Sequence, residues 1–104
     1  MVTVIANKAE FDAAIAQDKL VVLDMHATWC GPCKQVAPKI EALSKEETNV
    51  AFYKIDVDEV PDVASELGVR AMPTFYFYRE GVKVAEVVGA NIRAVTAAVA
   101  DHKG

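Results

Sequence analysis

Two cysteines stand three positions apart in Trp29-Cys30-Gly31-Pro32-Cys33, and the chain has no others. Sulfurs at that spacing can meet if the first residue just precedes a helix and the second lies in its first turn. A helix start offers free backbone N–H groups and the positive end of the aligned peptide dipoles, both of which favour a thiolate on Cys30 over a thiol. Thiolate is the attacking species in thiol–disulfide exchange. The expected cycle therefore has Cys30 attacking a disulfide and Cys33 then attacking Cys30 to release the reduced product. A proline between the cysteines restricts the loop and supplies no side-chain donor, whereas a histidine there would stabilise the thiolate and favour an oxidant. Pro32 points toward a reductant.

Other uses of such a pair stay open at this level. Two cysteines can be inert thiols, and C-x-x-C can be half of a zinc or iron–sulfur site. Zinc needs two further ligands, and the only imidazoles, His26 and His102, are not at paired-ligand spacing. A structural disulfide is a poor explanation, because a bridge over so short a segment removes little entropy from the unfolded chain. A binding module using the same surface without redox turnover, and an oxidase or isomerase with a more oxidising couple, are the competing functions.

Composition narrows the setting. A chain of 104 residues, 53% hydrophobic and 25% charged, reads as one domain over residues 1–104 with enough core to fold without staples. Eleven basic against fifteen acidic residues, with no basic cluster, argue against a nucleic-acid partner. The first twenty residues include Glu10, Asp12 and Asp18 and carry no long apolar stretch, so they do not read as a secretory or transit peptide. Apolar runs fall short of a membrane span. A single close cysteine pair suits a reducing compartment, and the expectation is a cytoplasmic protein.

The elements that must position the cysteines follow from periodicity. Thr3-Val4-Ile5 reads as a first strand, and Asn7 with Glu10 as a capping box opening a helix that buries Phe11, Ala14 and Ile15. Leu20 to Met25 is a nearly continuous apolar run, as in a strand covered on both faces, interrupted only by Asp24. Val36, Ile40 and Leu43 recur at helical spacing, which places Cys33 in the first turn of a helix that Pro38 should kink. Val50 to Val57 is a further buried strand. Val60, Val63, Ala64 and Leu67 form a short helix closed by Gly68. Thr74–Tyr78 and Val82–Val88 make a hairpin around Arg79-Glu80-Gly81, and Asn91 caps a last helix with Ile92, Val95 and Val99 inward. Strands alternating with helices and ending in a hairpin and helix imply an α/β domain, a mixed sheet with helices on both faces.

With Trp29-Cys30-Gly31-Pro32-Cys33-Lys34 in place, the chain resembles the thioredoxins, and the similarity extends over essentially its whole length. Ala27-Thr28 before the motif is similar to eukaryotic, including fungal, members. Further matches are Asp24 six residues before Cys30, Pro38, Lys54, Met72-Pro73-Thr74, Gly81 and Gly89. The departures are His26, where many members carry an aromatic residue, and Met25, where phenylalanine is common.

The resemblance implies a βαβαββα thioredoxin fold, a cis peptide before Pro73, no bound cofactor, and recycling by an NADPH-dependent thioredoxin reductase. It implies a monomer whose targets include peroxiredoxins, methionine sulfoxide reductases and ribonucleotide reductase. Burial among apolar neighbours should raise the pKa of Asp24 and make it a candidate proton acceptor, and the resemblance assigns it the proton of Cys33. The alternative is a solvent-exposed aspartate at a strand end. The resemblance also places Lys54 beside Asp24, where its charge would moderate the carboxylate; a snorkelling surface lysine is the other reading. Trp29, Gly31, Pro32, Met72, Pro73, Gly89 and Ala90 would form a weakly polar surface around Cys30 on which a target backbone docks.

Overall fold

Nine elements succeed one another along residues 1–104 of the computed structural model: β1 (Val2–Val4), α1 (Lys8–Ile15), β2 (Val21–His26), α2 (Gly31–Glu46), β3 (Ala51–Asp56), α3 (Pro61–Leu67), β4 (Thr74–Arg79), β5 (Val82–Val88) and α4 (Ile92–His102). From β2 onward the order is the expected βαβαββα, and the β1–α1 pair precedes it. The strands form one sheet in the order β1-β3-β2-β4-β5. β3 runs parallel to both β1 and β2, whereas β4 is antiparallel to β2 and to β5.

Alternation along β2 decides what each face carries. Val21, Leu23 and Met25 point into one core with Phe11 and Ala14 of α1, Ile55 of β3 and Val63 of α3. Val22 points into the other, with Val36, Ile40 and Leu43 of α2, Phe75 and Phe77 of β4, and Val95 and Val99 of α4. Asp24 and His26 share the parity of Val22, so they stand on the face that α2 covers. Met25 is fully buried on the opposite face, which accommodates this departure from the usual phenylalanine without touching the layer of the cysteines.

Local signals account for most boundaries. The Asn7 side chain accepts from the backbone N–H of Glu10 at 2.9 Å, and the Glu10 carboxylate reaches back to the N–H of Ala6 at 2.8 Å, one residue ahead of the cap. Asn91 accepts from the N–H of Ala94 at 3.0 Å. Gly68 ends α3 with φ of 70°, a left-handed conformation that a Cβ disfavours. The hairpin turn is two residues, Glu80 and Gly81, both at positive φ, because Arg79 pairs with Val82 as the last rung of β4. β1 starts one residue earlier than the apolar pattern suggests, yet Ile5 still donates to the Lys54 carbonyl at 3.0 Å and is buried. α2 continues through Pro38 from Gly31 to Glu46.

Candidate active site

The chain leaves the end of β2 at His26, crosses Ala27 to Trp29, and enters α2 at Gly31, with Cys30 as its N-cap. Cys30 has an extended backbone, φ −87° and ψ 109°, which turns its sulfur back over the first helical turn. The backbone N–H of Cys33 donates to Cys30 Sγ at 3.2 Å. This is one of the N–H groups a helix start leaves without an internal partner, here spent on sulfur. The two sulfurs are joined as a disulfide, with Cα atoms 5.3 Å apart. Both cysteines are 5% exposed, so the pair is covered except where a partner approaches over its rim.

That rim contains most of the anticipated docking residues. Trp29 is 66% exposed, and its indole N–H donates to the Asp58 carboxylate at 2.9 Å. Gly31, Pro32 and Ala90 are exposed, and Met72 and Gly89 are half-buried. Met72 packs against the cysteine cluster, its carbonyl oxygen 3.7 Å from Cys30 Sγ. The Met72–Pro73 peptide bond is cis, and the Pro73 carbonyl accepts from the N–H of Gly89 at 2.8 Å. Pro73 itself is buried, and the backbone of Met72 before it is what lies beside sulfur. Ala90 is exposed and follows Gly89 in the chain.

A Cβ built on Gly31 would meet nothing within 4 Å. No packing inside the molecule therefore demands glycine there, at the first position of α2. Gly31→Ala is expected to leave stability unchanged or raise it by about 0.5 kcal/mol, since alanine loses less entropy on becoming helical. Chemical denaturation checks that, and a weaker KM for a protein disulfide in a variant of undiminished stability would report the loss of close backbone approach.

Beneath the disulfide, an open cleft of about 370 Å³ is lined by Asp24, His26, Cys33, Lys34 and Lys54 among others. Asp24 and Lys54 also border a second cleft of about 250 Å³ on the far side, between Pro38 and Glu41. Asp24 is 6% exposed, and its Oδ1 is buried without a hydrogen-bond partner. Burial penalises its charge, and the moderating field of Lys54 only partly offsets this, so the carboxyl is pushed up to about 7. Lys54 is the register partner of Asp24 on β3. It forms no direct ion pair with the carboxylate and acts on it from a distance. His26, half-buried, faces Asp56 across the same strands. Burial holds its imidazole below the ordinary value, against an upward pull from Asp56, with Lys54 pressing it lower and Glu59 raising it.

The family resemblance brought Asp24 and Lys54 toward the cysteine pair, and in the structure both line one cleft with Cys33. Sequence reasoning missed Asp58, which anchors the indole from 29 residues away, and it did not place His26 in the cleft. Asp58 gave no local signal. The parity of His26 with Asp24 along β2 was visible, but its value depended on knowing which face α2 covers. A roomier surface cleft of about 420 Å³ lies between β1 and α1, far from the sulfurs. It holds neither cysteine nor histidine, and chemistry rather than volume designates the site. Nowhere do three or more His, Cys, Asp or Glu side chains gather as a metal site would need, and no helix is long and apolar enough to cross a membrane.

A dithiol/disulfide pair at the N-terminus of a helix, raised on the end of a central strand over a buried carboxylate, defines a disulfide oxidoreductase. The thioredoxin family profile matches residues 2–101. Thioredoxin-1 of Saccharomyces cerevisiae is 55% identical over 100 residues, covering 96% of this chain and 97% of that protein. Human thioredoxin is 48% identical over 101 residues, covering 95% and 96%. The crystal structure of Malassezia sympodialis thioredoxin superposes with a TM-score of 0.94 at 44% identity, covering 100% of this chain and 92% of that one. The chain belongs to the thioredoxin family, and its Cys30–Cys33 pair is the redox-active centre of a protein-disulfide reductase.

Proposed function

We propose that Cys30 is the nucleophile and Cys33 the resolving thiol. The observation that carries this assignment is the Cys33 N–H pointing at Cys30 Sγ from the first turn of α2. A reduced Cys30 at that position is stabilised as thiolate by the N–H and by the helix dipole, whereas Cys33 is inside the turn and aims at its partner. Cys30 attacks one sulfur of a target disulfide, and the other leaves as a thiolate that takes up a proton. Cys33 then loses its proton, attacks Cys30 Sγ and expels the second target sulfur, so that the target gains two electrons and this protein becomes the disulfide.

Asp24 receives the Cys33 proton through the cleft the two share, and Lys54 keeps the carboxylate from being pushed higher still. The exposed face of Trp29, Gly31, Pro32, Met72, Gly89 and Ala90, backed by Pro73, takes an extended segment of the target. It is weakly polar, and recognition is correspondingly broad. The protein holds no cofactor of its own and serves as a dithiol electron carrier in the cytoplasm. It acts as a monomer, re-reduced with NADPH by thioredoxin reductase, and supplies electrons to peroxiredoxins, methionine sulfoxide reductases and ribonucleotide reductase. A similar solved structure, 40% identical, concerns thiol resolution of a yeast mitochondrial 1-Cys peroxiredoxin by glutathione and thioredoxin systems, which supports the first of these partners.

The test is single-turnover resolution of a preformed mixed disulfide on Cys30. The base works as carboxylate, so the wild-type rate should rise with pH and level off above about 7. Asp24→Asn should slow resolution at neutral pH by about tenfold or more. Resolution by the asparagine variant at the wild-type rate would remove Asp24 from the mechanism.

A further inference from the structure

His26 is a titratable group in the active-site cleft to which the disulfide chemistry assigns no task. Its position is set by sheet register. β2 and β3 pair in parallel with Asp24 opposite Lys54 and His26 opposite Asp56. Residues two apart share a face, so all four stand on the side covered by α2, at the corners of a small rectangle about 5 Å by 7 Å. With the imidazole protonated, charges alternate in sign both along and across the strands. With it neutral, one corner is missing.

We infer that His26 is a positioning residue for the charge of Asp24: the two side chains hold one proton between them, and the form with imidazolium and carboxylate keeps the base available in mildly acidic solution. No bond between heavy atoms is made or broken. A proton taken from solvent rests on one group or the other at the same net charge. This rests on the reading of Asp24 as the acceptor of the Cys33 proton.

The surroundings favour that sharing. Asp56 faces His26 from β3, and Glu59 lies beyond the end of that strand; both attract a proton to the imidazole. Lys54, diagonal to it, repels one. Lys34 of α2 lines the same cleft and adds a further cation, and β4 brings only Thr74 beside Met25 on the other flank of β2. Two groups about 7 Å apart, under partial cover, couple by about one pH unit. Asp24 takes the proton first as pH falls, since its carboxyl is the more basic of the two. The coupling therefore shows as a shallow acid limb rather than a displaced midpoint.

Oxidised protein is the appropriate sample, because its disulfide has no thiol to titrate. The ionised fraction of Asp24, followed by the carboxyl carbon resonance, should at about pH 6 be two- to threefold higher in wild type than in His26→Gln, and the curves should merge by about pH 8. In His26→Lys, a fixed cation, the Asp24 midpoint should fall by about one unit. Reciprocally, Asp24→Asn should strip the high-pH limb from the His26 nitrogen titration, leaving several-fold less imidazolium at about pH 7. Superimposable Asp24 curves in wild type and His26→Gln overturn the inference. Should the glutamine variant not fold, an unmoved midpoint in His26→Lys or an unchanged His26 curve in Asp24→Asn does the same. These titrations do not depend on turnover: coupled curves beside an Asp24→Asn variant that resolves mixed disulfides normally would retain the pair but sink the proton-acceptor reading.

Discussion

Asp24→Asn should gain stability over the wild type by about 4 kcal/mol between about pH 4 and about pH 8, with the oxidised protein unfolded by guanidinium at each pH. The sign follows from burial. Folding carries the carboxyl from an ordinary value of 3.8 up to about 7, so the native state binds the proton more tightly than the unfolded chain does. Below the ordinary value both states are protonated and the group costs nothing by ionising. Through the window from 3.8 to about 7 the unfolded chain releases its proton first, and wild-type stability falls by up to about 1.4 kcal/mol per pH unit. Above that window the whole penalty is present, because a charged Oδ1 is buried with no hydrogen-bond partner. Asparagine cannot ionise, so the difference between the proteins isolates this one group from every other titration. A constant difference across the range would mean that the carboxylate is better solvated than its geometry indicates. Such a cost, retained beneath the redox pair, is what the proposed role of Asp24 as a base tuned to neutral pH would entail.

Cys33→Ser should arrest the reaction after its first step and accumulate a protein joined to its target through Cys30. An adjacent thiol in the first turn of α2 competes with external thiol at an effective concentration far above millimolar, so its removal should slow release of the target by about a thousandfold or more in millimolar thiol. Cys30→Ser, by contrast, should lose both capture and turnover of insulin disulfides, since no N–H-supported thiolate remains. Mass spectrometry of the trapped species identifies the linked cysteine. Normal turnover by Cys33→Ser would refute the two-step scheme, and full biological activity in the double serine variant would point to a binding role for the same surface.

Much of this site was legible because its parts are local. Cys30 as N-cap and Cys33 in the first turn follow from the helical period of Val36, Ile40 and Leu43, and the capping asparagines and Gly68 from the unpaired groups of helix ends. Asp24 was conspicuous as a lone charge in an apolar run. Strand ends were less legible. Arg79 joins β4 and His26 joins β2 because each finds a register partner, Val82 and Asp56, that hydrophobicity does not announce. The buried ring of Pro73 also escaped the sequence, since nothing in Met72-Pro73-Thr74 says which of its atoms a distant loop will cover.

The order of elements and the placing of two sulfurs at a helix start were thus determined by the chain alone, through periodicity, capping and spacing, all of which act within a few residues. Tertiary structure decided which face of β2 meets α2, and with it the placing of Asp24 under Cys33, of Lys54 opposite Asp24, of His26 in their company and of Asp58 against the indole. Those relations are made by pairing between strands and by burial, and both are properties of segments brought together from far apart in the chain.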